Sequence, residues 1–330
     1  MKRFHRLSEL TLLVIGYLIA NTNGDAPNFQ SGFGLTVHNV SNINPRLYDV
    51  YVKSDQVYDS QEIVIFLPND YTTSGPNRRY PVLYLLHGGG GCAQDWTLRG
   101  GKVQEILGNL SLIVVMPFGD QYGWYTNWIT PGKKHSPQNW RTYHNEELIP
   151  WIDFNLRTVA KKGGRAIGGL SMGGLGAIRY AEVYPQLYTY TTSFSGALDL
   201  EDIGVQIAVF FTDEYLELDG FGPFGLPFIL NNASGFVQQN PLTHAESLRG
   251  MDVAIYTGNV GVIEEVVHTC AIRMDKMLTS LNIPHYFLDY GNGSSIGQNC
   301  SGEHQWECWN ADLRDVAPRM MAVLEQQHAE

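Results

Sequence analysis

The chain has 330 residues, of which 44% are hydrophobic and 17% charged, and a formal net charge of −11. This composition is too apolar for a disordered chain, and its 35 glycines follow no collagen-like triplet. Thirty-three acidic against 22 basic side chains leave no basic footprint for binding nucleic acid or anionic lipid.

Lys2, Arg3 and Arg6 precede an apolar run from Leu10 to Ala20 and then a polar stretch from Asn21 to Asp25. The run is about half the length that crosses a bilayer, so residues 1–26 read as a secretory signal peptide cleaved after Ala20 or Ala26. Later segments fall short of transmembrane length, and residues 27–330 show no repeat or linker, so they read as one domain. Four cysteines, Cys92, Cys270, Cys300 and Cys308, fit an oxidising compartment, because an even number can pair completely, with three connectivities open. Their spacing offers no C-x-x-C pair for zinc, and neither metal nor organic cofactor is expected. Asn-x-Ser sequons begin at Asn39, Asn109, Asn232, Asn292 and Asn299 and permit glycosylation in a eukaryotic host.

In chain order, strand-like runs fall at Glu62–Leu67, Val82–Leu86, Leu112–Met116, Ala166–Gly168, Tyr188–Phe194, Val253–Tyr256 and Tyr286–Leu288. Several are continuously apolar, as in strands buried on both faces. Helical patterns fall at Asn145–Asn155, Gly173–Tyr184, Ile263–Leu281 and Trp306–Gln326. The alternation predicts an α/β fold, a mainly parallel sheet with helices on both faces and ligands at the carboxyl ends of the strands. Residues 199–247, rich in Phe, Gly and Pro without a clean period, read as an insertion that is equally a satellite core or a lid.

Gly169-Leu170-Ser171-Met172-Gly173 matches G-x-S-x-G between a strand-like and a helix-like segment, the setting in which a tight turn lifts a nucleophilic serine out of a sheet. Gly293 to Gly297 also matches, but Ser295 lies in a polar loop with no helix after it. Upstream, Leu83–Leu86 runs into His87-Gly88-Gly89-Gly90-Gly91. A glycine loop there exposes backbone N–H groups, so the oxyanion donors are assigned to Gly89 and Met172. A P-loop would need a Lys and a Ser/Thr that this run lacks.

The base should follow the serine and the acid in the chain. His304, in the loop Gly302-Glu303-His304-Gln305 ahead of the last helix, meets that order. For the acid, the segment after Val253–Tyr256 offers Glu264 and Glu265. With a helix from Ile263, Glu264 lies about 100° from the apolar centre and Glu265 about 200°, which favours Glu264. Glu265 and Asp289 stay as fallbacks. Trp124, Tyr125 and Trp128 follow a strand end and are candidate walls of a substrate pocket.

The motif order resembles the esterase D / antigen 85 family of α/β-hydrolases over roughly residues 45–325. The resemblance is carried by Val115–Gly119 with Trp124–Trp128, by Tyr256–Asn259 through Glu264, and by Gly302–Trp309. It implies an α/β-hydrolase fold and the same three residues, Ser171, Glu264 and His304. Where antigen 85 proteins carry an Asp and a nearby Arg that grip trehalose, this chain has His87 and no such Arg, and Lys133 to Asn139 lacks their paired cysteines. The glycine loop instead resembles that of wider esterases, including feruloyl and acetyl esterases and S-formylglutathione hydrolases.

The expectation is a secreted serine esterase acting on small-molecule or glycolipid esters through an acyl-enzyme. The alternatives are an acyltransferase of the antigen 85 (mycolyltransferase) type and a non-catalytic secreted binding protein on the same fold.

Overall fold

The computed structural model describes residues 26–132, 135–212, 222–228, 234–297 and 299–324. The signal-peptide reading, apart from Ala26, and the sequon at Asn232 lie outside these residues. Nine strands form one sheet in the order β1-β2-β3-β5-β4-β6-β7-β8-β9. They are β1 (Thr36–Asn44), β2 (Leu47–Lys53), β3 (Ser60–Phe66), β4 (Val82–Leu86), β5 (Ile113–Pro117), β6 (Arg165–Leu170), β7 (Tyr190–Phe194), β8 (Asp252–Gly258) and β9 (Tyr286–Gly291). The first three pair antiparallel, β3 also runs antiparallel to β5, and every pair from β5 through β9 is parallel.

Among the described residues the helices of seven or more residues are α1 (Ile149–Asn155), α2 (Met172–Val183), α3 (Ile203–Phe210), α4 (Val262–Ser280) and α5 (Trp306–Val323), of which α2, α4 and α5 carry the site. Successive strand residues point to opposite faces, and the two cores divide accordingly. Val82, Tyr84 and Leu86 of β4 join Ile178 of α2 and Met274 and Leu278 of α4 on one face. Leu83 and Leu85 join Trp96 and the Leu313–Met320 face of α5 on the other. Leu83 and Leu85 are fully buried, so truncating either to Ala costs about 2–5 kcal/mol.

The continuous apolar runs at Val82–Leu86 and Leu112–Met116 became the central parallel strands β4 and β5, whereas the run within Glu62–Leu67 became β3, antiparallel to both its neighbours. β1 and β2 had no counterpart among the predicted strands: β1 is an edge strand of mostly exposed polar residues, TVHNVSNIN, whose pairing comes from β2 rather than from a buried face. Within 199–247, described residues form α3 and short turns at Gly235–Gln238 and Pro241–His244.

Of the cysteine pairings left open, the structure forms one. Cys300 bonds Cys308, whereas Cys92 and Cys270 are free thiols. Cys270 is fully buried in the core beneath α4, and Cys92 donates its thiol to Asp95 Oδ1 at 3.2 Å.

His144 is buried, with Nε2 at 3.0 Å from the Phe118 carbonyl and Nδ1 at 2.9 Å from the Tyr180 hydroxyl. Burial lowers its pKa to about 3. An unfolded imidazole titrates near 6.5, so between these values the unfolded chain binds the extra proton. This contribution to stability is present above pH ~6.5 and lost as the pH falls towards the folded value. The thermal midpoint should drop less between pH 7 and pH 4 in His144→Asn than in the parent; equal slopes would contradict the assignment.

Candidate active site

β6 ends at Leu170, and the chain turns at Ser171 (φ +54°, ψ −118°) directly into α2. A positive φ is costly for a side chain other than glycine and is kept only where the surroundings enforce it. Here the Ser171 N–H donates to the Phe194 carbonyl at 2.9 Å, and Leu175 N–H closes on the Ser171 carbonyl at 3.1 Å. The flanking glycines are sterically required. A Cβ on Gly169 would lie 2.3 Å from the Gly173 carbonyl oxygen, and one on Gly173 would lie 2.5 Å from the carbonyl oxygens of both Leu86 and His87. Gly173→Ala is expected to cost about 1–3 kcal/mol of stability by such overpacking, measured by urea unfolding, and to displace the glycine loop; an unchanged midpoint would refute the close approach. Ser295, by contrast, lies exposed in a turn with no helix after it.

The loop after β4 rests on three side chains. Gly119 N–H donates to His87 Nε2 at 3.0 Å, which leaves the proton on Nδ1 to donate to the Gly88 carbonyl at 2.8 Å. Burial lowers the His87 pKa, so the ring stays neutral. The Tyr125 hydroxyl donates to the His87 carbonyl at 3.0 Å, and the Trp96 indole N–H to the Leu86 carbonyl at 3.1 Å. The N–H of Met172 opens α2, where intrahelical partners are lacking. Among the described residues neither it nor the Gly89 N–H is engaged in a backbone hydrogen bond.

β8 delivers the acid side of the site. Glu264, in the first turn of α4, is fully buried and its Oε2 lies 2.7 Å from His304 Nδ1. Its Oε1 accepts from the Ser195 hydroxyl at 2.8 Å, Gly258 N–H at 2.8 Å and the Thr257 hydroxyl at 3.3 Å. Neither fallback acid meets His304: Glu265 is exposed on α4, and Asp289 pairs with His268 at 2.8 Å. Behind the pair, burial and then the charge of Glu264 push the carboxyl of Asp312 well above the usual range.

Ser171 and His304 line the same cavity of about 690 Å³, together with Gly88–Gly91, Lys102, Trp306 and Trp309. With Nδ1 committed to Glu264, Nε2 is the imidazole nitrogen left to take a proton. Among the described residues the Ser171 hydroxyl has no protein partner; such contacts often tighten only when substrate binds.

Trp124, Tyr125 and Trp128 do not line this cavity, which corrects their reading as its walls. All three are buried in the core. Tyr125 packs against Gly119 and Gly176 beneath the glycine loop, and the Trp128 indole donates to the Gly123 carbonyl at 3.0 Å. The cavity aromatics are Trp306 and Trp309, which flank the disulfide-bonded Cys308. Their place just after His304 was the sequence signal that could have found them.

Fold and site together define an α/β-hydrolase. The chain belongs to the Esterase family, whose model matches residues 54–320. It is 34% identical to Esterase Rv1288 of Mycobacterium tuberculosis over 231 residues, 69% of this chain and 49% of that protein. It thus spans about half the length of that relative. The acyltransferase/mycolyltransferase Ag85B of Mycobacterium leprae, also described as a diacylglycerol acyltransferase, is 28% identical over 264 residues, 74% of this chain and 76% of the relative. Among solved structures, Mycobacterium tuberculosis MPT51 superposes with a TM-score of 0.65 at 18% identity, covering 87% of this chain and all of that one.

Proposed function

We propose that this chain is an exported serine esterase in which Ser171 is the nucleophile, His304 the general base and Glu264 the residue that orients the imidazole. Residues 1–26 are its export signal and residues 27–330 its single catalytic domain. Among the described residues no helix is long and apolar enough to cross a membrane. The observation that carries the reading is the convergence of the strained Ser171 turn, the Glu264–His304 pair and the glycine loop on one cavity.

The Ser171 hydroxyl gives its proton to His304 Nε2 as Oγ bonds to the ester carbonyl carbon. The N–H groups of Gly89 and Met172 hold the resulting oxyanion. Collapse breaks the bond to the alcohol oxygen, which leaves with the proton from His304, and an acyl-enzyme remains. Water enters by the reverse sequence, losing its proton to His304 and releasing the acid and the serine. These steps are carried by the chain's own residues.

In acyltransfer, an alcohol replaces water in the last step. The similarity to Ag85B, spread over about three quarters of each chain, supports this acyltransfer reading, with glycolipid as well as small-molecule esters as substrates. The test is turnover of p-nitrophenyl acetate with and without a sugar alcohol acceptor. Free acid alone identifies a hydrolase, and acylated acceptor a transferase. No release of p-nitrophenol from this or longer acyl esters would count against both.

A further inference from the structure

Ser195 follows β7 as Ser171 follows β6. Its backbone is also held at positive φ, +48°, and its N–H donates to the Tyr256 carbonyl at 2.8 Å. A glycine would adopt this conformation without penalty, whereas a serine carries a cost and supplies a hydroxyl. That hydroxyl is fully buried and has a determined direction. The Trp309 indole N–H, which can only donate, points at Ser195 Oγ at 3.3 Å. The hydroxyl proton is thereby left for Glu264 Oε1, at 2.8 Å. The Trp309 ring also meets the His304 ring edge-on, with centroids 4.9 Å apart and planes at 89°. One side chain thus touches the imidazole directly and the carboxylate through Ser195.

On the catalytic reading above, we infer that Ser195 is a positioning residue for the triad carboxylate, and that Trp309 sets its hydroxyl. With Oε1 anchored by Ser195, Gly258 and Thr257, the carboxylate cannot rotate about its own axis, so Oε2 stays on His304 Nδ1. The other ionisable side chains coupled to Glu264 are Asp312 from α5 and Tyr290 from β9; the Tyr290 hydroxyl lies 3.5 Å from Asp312 Oδ2 and also meets the Ser195 hydroxyl. Neither one bonds Glu264, so its side-chain donors besides His304 are the hydroxyls of Ser195 and Thr257.

The test uses Ser195→Ala, which keeps the backbone and nearly the volume, and Trp309→Phe, which keeps a ring against His304 and removes the N–H. Loss of a hydrogen bond to a charged group should lower kcat about ten- to a hundredfold in Ser195→Ala, and loss of the neutral one about three- to tenfold in Trp309→Phe. KM should stay within about twofold in Ser195→Ala, because the lost interaction acts on the triad rather than on substrate; Trp309 also lines the cavity, so Trp309→Phe is read by kcat and labelling rate alone. The rate of fluorophosphonate labelling should fall in step with kcat.

A folded Ser195→Ala protein with parental kcat overturns the inference, as does one in which only KM changes. If Ser195→Ala does not fold, Trp309→Phe decides, and parental kcat there overturns it. Parental protein that resists labelling would instead remove the catalytic reading itself, which separates the two failures.

Discussion

Ser171→Ala should lower kcat/KM for p-nitrophenyl acetate by about a thousandfold or more while leaving the unfolding midpoint nearly unchanged. The hydroxyl has no protein partner among the described residues, so its removal orphans no buried group. The methyl side chain accepts the same turn at the same backbone cost, and the Ser171 N–H keeps its bond to Phe194. What disappears is the atom proposed to form the acyl-enzyme. The residual activity should be what the Gly89 and Met172 N–H groups and the cavity give to direct attack by water. Ser295→Ala, in the second matching pentapeptide, should stay within about twofold of the parent, because its side chain is exposed in a turn away from any helix start. A parental rate in Ser171→Ala, or a collapse in Ser295→Ala, would reverse the choice between the two pentapeptides.

Glu264→Gln should be nearly as damaging, by about a thousand- to ten-thousandfold in kcat, for a reason that lies in the donor count. Oε1 receives the Ser195 hydroxyl and the Gly258 N–H, with the Thr257 hydroxyl shared between Oε1 and the Gly258 carbonyl. A glutamine must therefore place its oxygen there and turn its NH2 group towards His304 Nδ1. That nitrogen then has to accept, the imidazole proton moves to Nε2, and the ring cannot take the proton of Ser171. The substitution is nearly isosteric, so KM and the unfolding midpoint should change little. Steady-state kinetics beside a thermal melt would check this, and a variant within tenfold of the parental kcat would rule out an orienting role for Glu264.

The parts of the molecule legible in the sequence are those whose signal is local. The continuous apolar run of β4 matches the predicted strand at Val82–Leu86, and the 3.6-residue period of α4 matches within a residue at each end. The turn at Ser171 could be chosen over that at Ser295 because a strand and a helix flank only the first. β1 carries no such signal, since an exposed polar edge strand is defined by its partner. The rule that ligands sit at strand ends pointed to Trp124, Tyr125 and Trp128, but it does not say which way a loop folds after its strand. Here Gly119 and Gly176 open space for the Tyr125 ring, and the loop turns under the glycine loop after β4. The Ser195–Glu264 contact joins residues 69 apart, a separation at which periodicity carries no information. His87 could be placed in the loop from its neighbours, but its role as a neutral pin between that loop and Gly119 depends on both ring nitrogens being engaged.

The most direct test of the account is intact-mass spectrometry of the folded protein after exposure to a fluorophosphonate, followed by peptide mapping. The account predicts one adduct, located on Ser171, formed in the parent and in Ser295→Ala and absent from Ser171→Ala. A folded protein with Cys300–Cys308 intact that takes up no adduct, or takes it up on another serine, would contradict it.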